Sequence, residues 1–215
     1  MAFYNSLSLF LQVLINVTLL TGLILFLTTG IKEKFVLLLF FLGEAALELS
    51  DLIGRLMKLT SYNVYNYSLS QFLSLIALTE IYNAYFFKIS PFVRIPIYLS
   101  ALILLAFNMA YHQSIETLTF YSTMIPNLVI CSFGGFYFLQ VIRRGQTDKT
   151  LFTVNVAVFL FFSIETVIST TFNFLINNHM EWVAPVWLFR GVLLLCFYLA
   201  IVNLGCRTVK IRIWQ

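Results

Sequence analysis

The chain has 215 residues, of which 60% are hydrophobic, 17% aromatic and 10% charged, with a net charge of +4. At a mean hydropathy of +0.92 it carries more apolar surface than a water-soluble domain can bury. This excludes a soluble enzyme or a nucleic-acid-binding module and makes the lipid bilayer its first partner.

Seven apolar runs follow one another, at about 7–29, 35–57, 68–88, 95–112, 119–142, 150–177 and 182–206. At 1.5 Å per residue each can cross a hydrocarbon core of roughly 30 Å. They predict an all-α polytopic membrane protein, a single seven-helix transmembrane domain over 1–215. The first run lacks a basic leader and stops at Lys32 and Lys34, so it reads as a retained helix and not a signal peptide.

The second run is unusual, because GEAALELSDLIGR brings Glu44, Glu48, Asp51 and Arg55 into it at spacings of four, three and four. At 100° per residue they fall within roughly 60° of arc, with Leu42, Ala46, Leu49 and Ile53 opposite. A charge at mid-depth costs about 2.5–3.5 kcal/mol, while each large apolar residue returns about 0.3–0.6 kcal/mol. The stripe is therefore expected to face the bundle interior, with Asp51 and Arg55 pairing within the helix at i,i+4.

The third run carries Glu80 and is preceded by SYNVYNY, in which Tyr62, Tyr65 and Tyr67 read as an interfacial aromatic belt. Asn66-Tyr67-Ser68 fits a glycosylation acceptor on an outer loop. Gly134-Gly135 in the fifth run suits close helix packing. In the sixth, Asn155, Glu165, Ser169 and Asn173 share a face, as Gln12 and Asn16 do in the first. Counting depth from the run ends puts Glu48 level with Arg190 of the seventh run, and places Glu80 and Glu165 near the middle third.

Lys32, Lys34, Lys88, Arg94, Arg143, Arg144, Lys149, Arg207, Lys210 and Arg212 fall in alternate connections and the C-terminal tail, against Lys58 on the other side. Retention of basic residues in the cytoplasm then predicts the N-terminus outside and the C-terminus inside. The seventh run has no lysine for a retinal Schiff base. His112 and His179 sit at helix ends, and Cys131, Cys196 and Cys206 lack CxxC spacing, so no metal, haem or other cofactor is expected. Glu44 and Glu48 could share acid and base roles, but no nucleophile or oxyanion donor accompanies them, so an enzyme is not expected.

The candidate ligand- or proton-binding residues are Glu44, Glu48, Asp51, Arg55, Glu80, Glu165 and Arg190, with Glu48, Glu165 and Arg190 at the centre. Five acids against two arginines leave a surplus of carboxylates, which points to a proton, a cation or a small polar ligand.

If the fourth helix is a linker, helices one to three and five to seven run in the same direction. Lys34 then precedes Glu48 by 14 residues and Lys149 precedes Glu165 by 16. This 3+1+3 pattern is similar in topology and length to the PQ-loop group of sugar transporters and KDEL receptors. The chain departs from that group in having no Pro-Gln pair and no proline in its first, second or sixth run. The segments SYNVYNYSLSQF, LIALTEIYNAYFFKI, FYSTMIPNLVICSFGGFYFLQVI and WLFRGVLLLCFYLAIVNLGCR also look like short seven-helix membrane proteins of bacteria. They resemble the membrane portions of some bacterial sensor histidine kinases. That resemblance implies the bacterial cytoplasmic (inner) membrane, a protein partner as effector, and Glu80 as a carried-over position. The 215 residues hold no kinase region, so direct signalling output is not expected. The expected function is a sensor or receptor-like module, with a small proton- or ion-coupled transporter, or a structural subunit of a membrane complex, as alternatives.

Overall fold

The computed structural model describes residues 2–28, 35–57, 63–111, 116–145 and 148–213. Lys32, Lys34, Lys58, Tyr62 and His112, and the side chains of Tyr65, Asn173, Arg207, Lys210 and Arg212, lie outside what is described. Among the described residues the chain is helical: α1 (Ala2–Thr28), α2 (Phe35–Leu56), α3 (Asn63–Ile81), a π-helical turn (Tyr82–Phe86), α4 (Pro91–Tyr111), α5 (Glu116–Arg144), α6 (Lys149–Asn178) and α7 (Met180–Ile213). Five segments, Tyr4–Leu27, Pro91–Ala110, Thr123–Arg144, Lys149–Thr171 and Met180–Cys206, are long and apolar enough to cross a membrane, which supports an integral membrane protein. They belong to α1, α4, α5, α6 and α7. The other two helices, α2 and α3, carry the acidic stripe and the run of serines and asparagines facing it.

Neighbouring helices close a ring in the order α1, α2, α3, α5, α6, α7 and back to α1, while α4 packs outside it against α3 and α5. Phe92, Ile95, Leu99, Leu102 and Ile103 of α4 are exposed, as an apolar surface meant for lipid would be. Local signals set several ends. Asp148 caps α6 by accepting from the backbone N–H groups of Thr150 and Leu151. Pro91 opens α4, where its missing N–H costs nothing.

The third helix starts five residues before the expected run and does not continue as α-helix to 88. It passes into the π turn, closed by the Phe87 N–H donating to the Tyr82 carbonyl at 3.0 Å. Tyr82 is thereby buried, and its hydroxyl donates to Asn155 Oδ1 at 2.7 Å while Asn155 Nδ2 donates to the Gly134 carbonyl at 3.2 Å. Gly134 permits this close approach of α5 and α6, because a Cβ there would lie 3.0 Å from the Phe159 ring.

The apolar half of α2, FVLLLFFL, supplies Leu37, Phe40 and Phe41 to the core. Phe26 stacks on Phe41 at 5.2 Å and Phe161 on Phe197 at 5.4 Å, and Phe40 meets Phe197 edge-on at 6.1 Å. This aromatic layer fills the half of the bundle where α1 ends and α2 begins. The other half is hollow.

Candidate functional site

A cavity of about 630 Å³ lies between α1, α2, α3, α6 and α7. Its lining comes from the start of α1 (Ser8, Gln12), the end of α2 (Gly54, Arg55), the start of α3 (Asn66, Tyr67) and the first half of α7 (Trp187, Arg190). All four α2 charges, Glu44, Glu48, Asp51 and Arg55, line it. Leu42, Leu49 and Ile53 on the opposite face are exposed. The helical period thus separates costly charges from the exposed apolar surface.

Glu44 lies deepest and is fully buried. Its carboxylate accepts from Ser70 Oγ at 2.8 Å, Ser74 Oγ at 3.1 Å and the Tyr198 hydroxyl at 3.0 Å. Two serines one helical turn apart on α3 thus clasp an acid on the facing helix, and both of its oxygens are satisfied.

Glu165 and Arg190 form a bidentate pair, with Nε to Oε2 at 2.6 Å and Nη2 to Oε1 at 3.1 Å. The Tyr67 hydroxyl donates to Glu165 Oε1 at 2.6 Å. The guanidinium also sits over the Trp187 ring, 4.9 Å from its centroid. Two of the three residues expected at the centre, Glu165 and Arg190, are thus in direct contact, and Tyr67, expected in an interfacial belt, serves them from α3.

Asp51 and Arg55 do not pair within α2. Asp51 accepts from Asn66 Nδ2 at 2.5 Å. Arg55 reaches across to α1, donating to Ser8 Oγ at 3.0 Å, Gln12 Oε1 at 3.3 Å and the Asn5 carbonyl at 3.3 Å. A long side chain beside a helix that presents three acceptors on one face has a better option than its own i−4 neighbour. Asn66 also donates to Ser50 Oγ at 2.7 Å and is buried within α3, so its amide is not on an outer loop open to glycosylation.

Glu48 differs from its neighbours. Among the described residues no hydrogen bond or salt bridge reaches its carboxylate, which faces the cavity. Its main-chain carbonyl takes a long contact of 3.5 Å from Asn16 Nδ2. Arg190 lines the same cavity and acts on Glu48 through its charge alone, so the expected centre of Glu48, Glu165 and Arg190 consists of a hydrogen-bonded pair beside an acid with no direct bond among the described residues.

Glu80 stands apart. It pairs with Arg94 of α4 at 3.1 Å and accepts from the Tyr98 hydroxyl, near the end of α3 remote from the cavity. Because α3 begins at Asn63, Glu80 lies about 26 Å along it, well past its midpoint.

Ser70, Ser74 and Tyr198 are partners of the acids that have no place in the sequence reading, and Asn66 and Tyr67 enter it only in other roles. Asn66, Ser70 and Ser74 recur every four residues, a polar stripe on α3 that the stripe on α2 could have been matched to. Among the described residues no group of three or more His, Cys, Asp or Glu side chains is placed to hold a metal ion. The cavity combines four carboxylates, counting Glu165, with two guanidiniums, so its formal charge favours a positively charged occupant. Comparison with protein-family models, curated proteins and solved structures finds no match for the chain.

Proposed function

We propose that the chain is a receptor-like membrane module whose cavity binds a cation or small polar ligand, or takes up a proton, and reports occupancy to a protein partner through helix packing. In this reading all seven helices span the bilayer of a bacterial inner membrane, with the N-terminus outside and the C-terminus cytoplasmic. The orientation is supported by Lys88, Arg94, Arg143, Arg144 and Lys149, which gather at the end of the bundle where α3 and α5 finish and α4 and α6 begin. The cavity lies toward the other end, so it would face outward.

The single observation that carries the reading is Glu48, an acid enclosed by helices yet unpaired, on the wall of a cavity large enough for a small molecule. The aromatic layer beneath favours binding over conduction, because it blocks the way to the basic end of the bundle. The position of α4 outside the six-helix ring supports a 3+1+3 organisation.

The test is thermal unfolding of the purified protein against amines, zwitterions, sugars and inorganic cations, run beside proteoliposome flux under a proton gradient. The expected result is stabilisation by one ligand class, lost in Glu48→Gln, without flux. Flux that follows the gradient would replace this reading with a small transporter. Failure of every ligand class, together with copurification of a stoichiometric membrane partner, would replace it with a structural subunit.

A further inference from the structure

Resting on the binding role proposed above, we infer that the cavity takes the protonated amine of a small organic cation, seated at Glu48 and Asp51 with its apolar body against Phe161, Phe162 and Phe197. Most of the hydroxyl and charged donors on the cavity wall are already committed within the protein. Ser70, Ser74 and Tyr198 serve Glu44, Asn66 serves Asp51, Arg190 serves Glu165, and Arg55 serves α1. The open acceptors are better defined. The Glu48 carboxylate takes no hydrogen bond or salt bridge among the described residues and feels Arg190 only through its charge, Asp51 takes one donor there, and the buried Gln71 Oε1 on the same wall has none.

Ligand classes separate on this inventory. An anion would meet an acidic wall. A sugar offers hydroxyl donors to the carboxylates but no charge to offset theirs. A hard divalent ion wants six or more oxygens around it, more than these residues offer, and about 630 Å³ far exceeds the room an ion fills. An ammonium supplies N–H donors and positive charge at once. A primary or secondary amine fits better than a quaternary one, because unmet acceptors call for hydrogens. Glu48 and Asp51 stand one turn apart on α2, so one ammonium can reach both. Phe161, Phe162, Leu194 and Phe197 line the same cavity from α6 and α7, an apolar wall across from the acids.

The same chemistry could come from a soluble amine or from an aminolipid headgroup entering from the outer leaflet. The experiment therefore uses the full chain in nanodiscs of phosphatidylcholine alone, and again with phosphatidylethanolamine added. Binding of 2-phenylethylammonium is measured by calorimetry for wild type, Glu48→Gln, Asp51→Asn and Glu80→Gln, with 2-phenylethanol and phenylacetate as competitors. We expect Glu48→Gln to weaken binding by about tenfold or more, Asp51→Asn to weaken it less, Glu80→Gln to leave it unchanged, and neither competitor to displace the amine. Weaker apparent binding in the aminolipid discs would assign the seat to a lipid amine, and unchanged binding to a soluble one. Equal binding by Glu48→Gln, or displacement by the alcohol or the carboxylate, overturns the inference. If the amine fails while another ligand class stabilises the wild type through Glu48, this inference falls and the binding role stands. If every class fails, both fall.

Discussion

Arg190 holds Glu165 through two nitrogens at 2.6 and 3.1 Å, joining α7 to α6 inside the bundle. The Glu165 side chain is 2% exposed, so removing the guanidinium would strand a buried carboxylate. Arg190→Met is expected to destabilise the protein by about 3–5 kcal/mol. Adding Glu165→Gln should recover much of that loss, because the stranded charge goes with it. Unfolding in mixed detergent micelles, read for both single variants and the double, measures the coupling. A double variant no better than Arg190→Met would show that the pair is not what holds these helices.

Glu44 and Glu48 sit one turn apart and predict opposite outcomes. Glu44 is clasped by three hydroxyls, so Ser70→Ala or Ser74→Ala should each cost about 0.6–1.7 kcal/mol, the range for polar contacts between membrane helices. Glu48 has no such partner, so Glu48→Gln should leave unfolding unchanged or delay it. Parallel melts of the three variants decide the matter. A Glu48→Gln protein as unstable as the serine variants would mean that Glu48 is structural.

Much of this division was open to inspection in the sequence. The 3.6-residue period gave the direction of the α2 stripe, since a charge pointed at lipid is too costly to be a real alternative. Depth counting set Arg190 level with Glu48 and Glu165 in the middle third, which brings the two acids and the base to one region, but the direct partner of Arg190 is Glu165, a choice that depth alone does not make. The Asp51–Arg55 pairing failed for a reason also present in the sequence. Asn5, Ser8 and Gln12 recur along one face of α1, and an arginine can reach across to them. Glu80 does not line the cavity, because its place near the end of α3 sets it against Arg94 and Tyr98 of α4. The isolation of Glu48 was not legible, since an empty space between helices has no periodicity.

The α1–α7 contact predicts a steric limit. A Cβ built on Gly205 would overlap the Phe26 ring, which is itself stacked on Phe41 at 5.2 Å. Gly205→Ala must therefore push Phe26 out of the aromatic layer, costing about 1–3 kcal/mol. A matched change at Gly54, where nothing approaches an added Cβ, should cost far less. The gap between the two unfolding curves is the measurement. Equal curves would mean that α1 and α7 are not packed this closely.

The proposed orientation can be read from which helix ends meet the outside. Phe92 and Met180 are both exposed, but Phe92 lies at the start of α4 among the basic residues and Met180 at the start of α7 beside the cavity mouth. In a background with Cys131, Cys196 and Cys206 replaced by alanine, Met180→Cys in intact cells should react with a membrane-impermeant maleimide. Phe92→Cys should react only after the membrane is opened, because the proposed orientation starts α4 on the cytoplasmic side. The reverse pattern would turn the bundle over and point the cavity at the cytoplasm. Glu48 would then await a cytoplasmic ligand, and amine added outside intact cells would not protect a cysteine placed at Ser70.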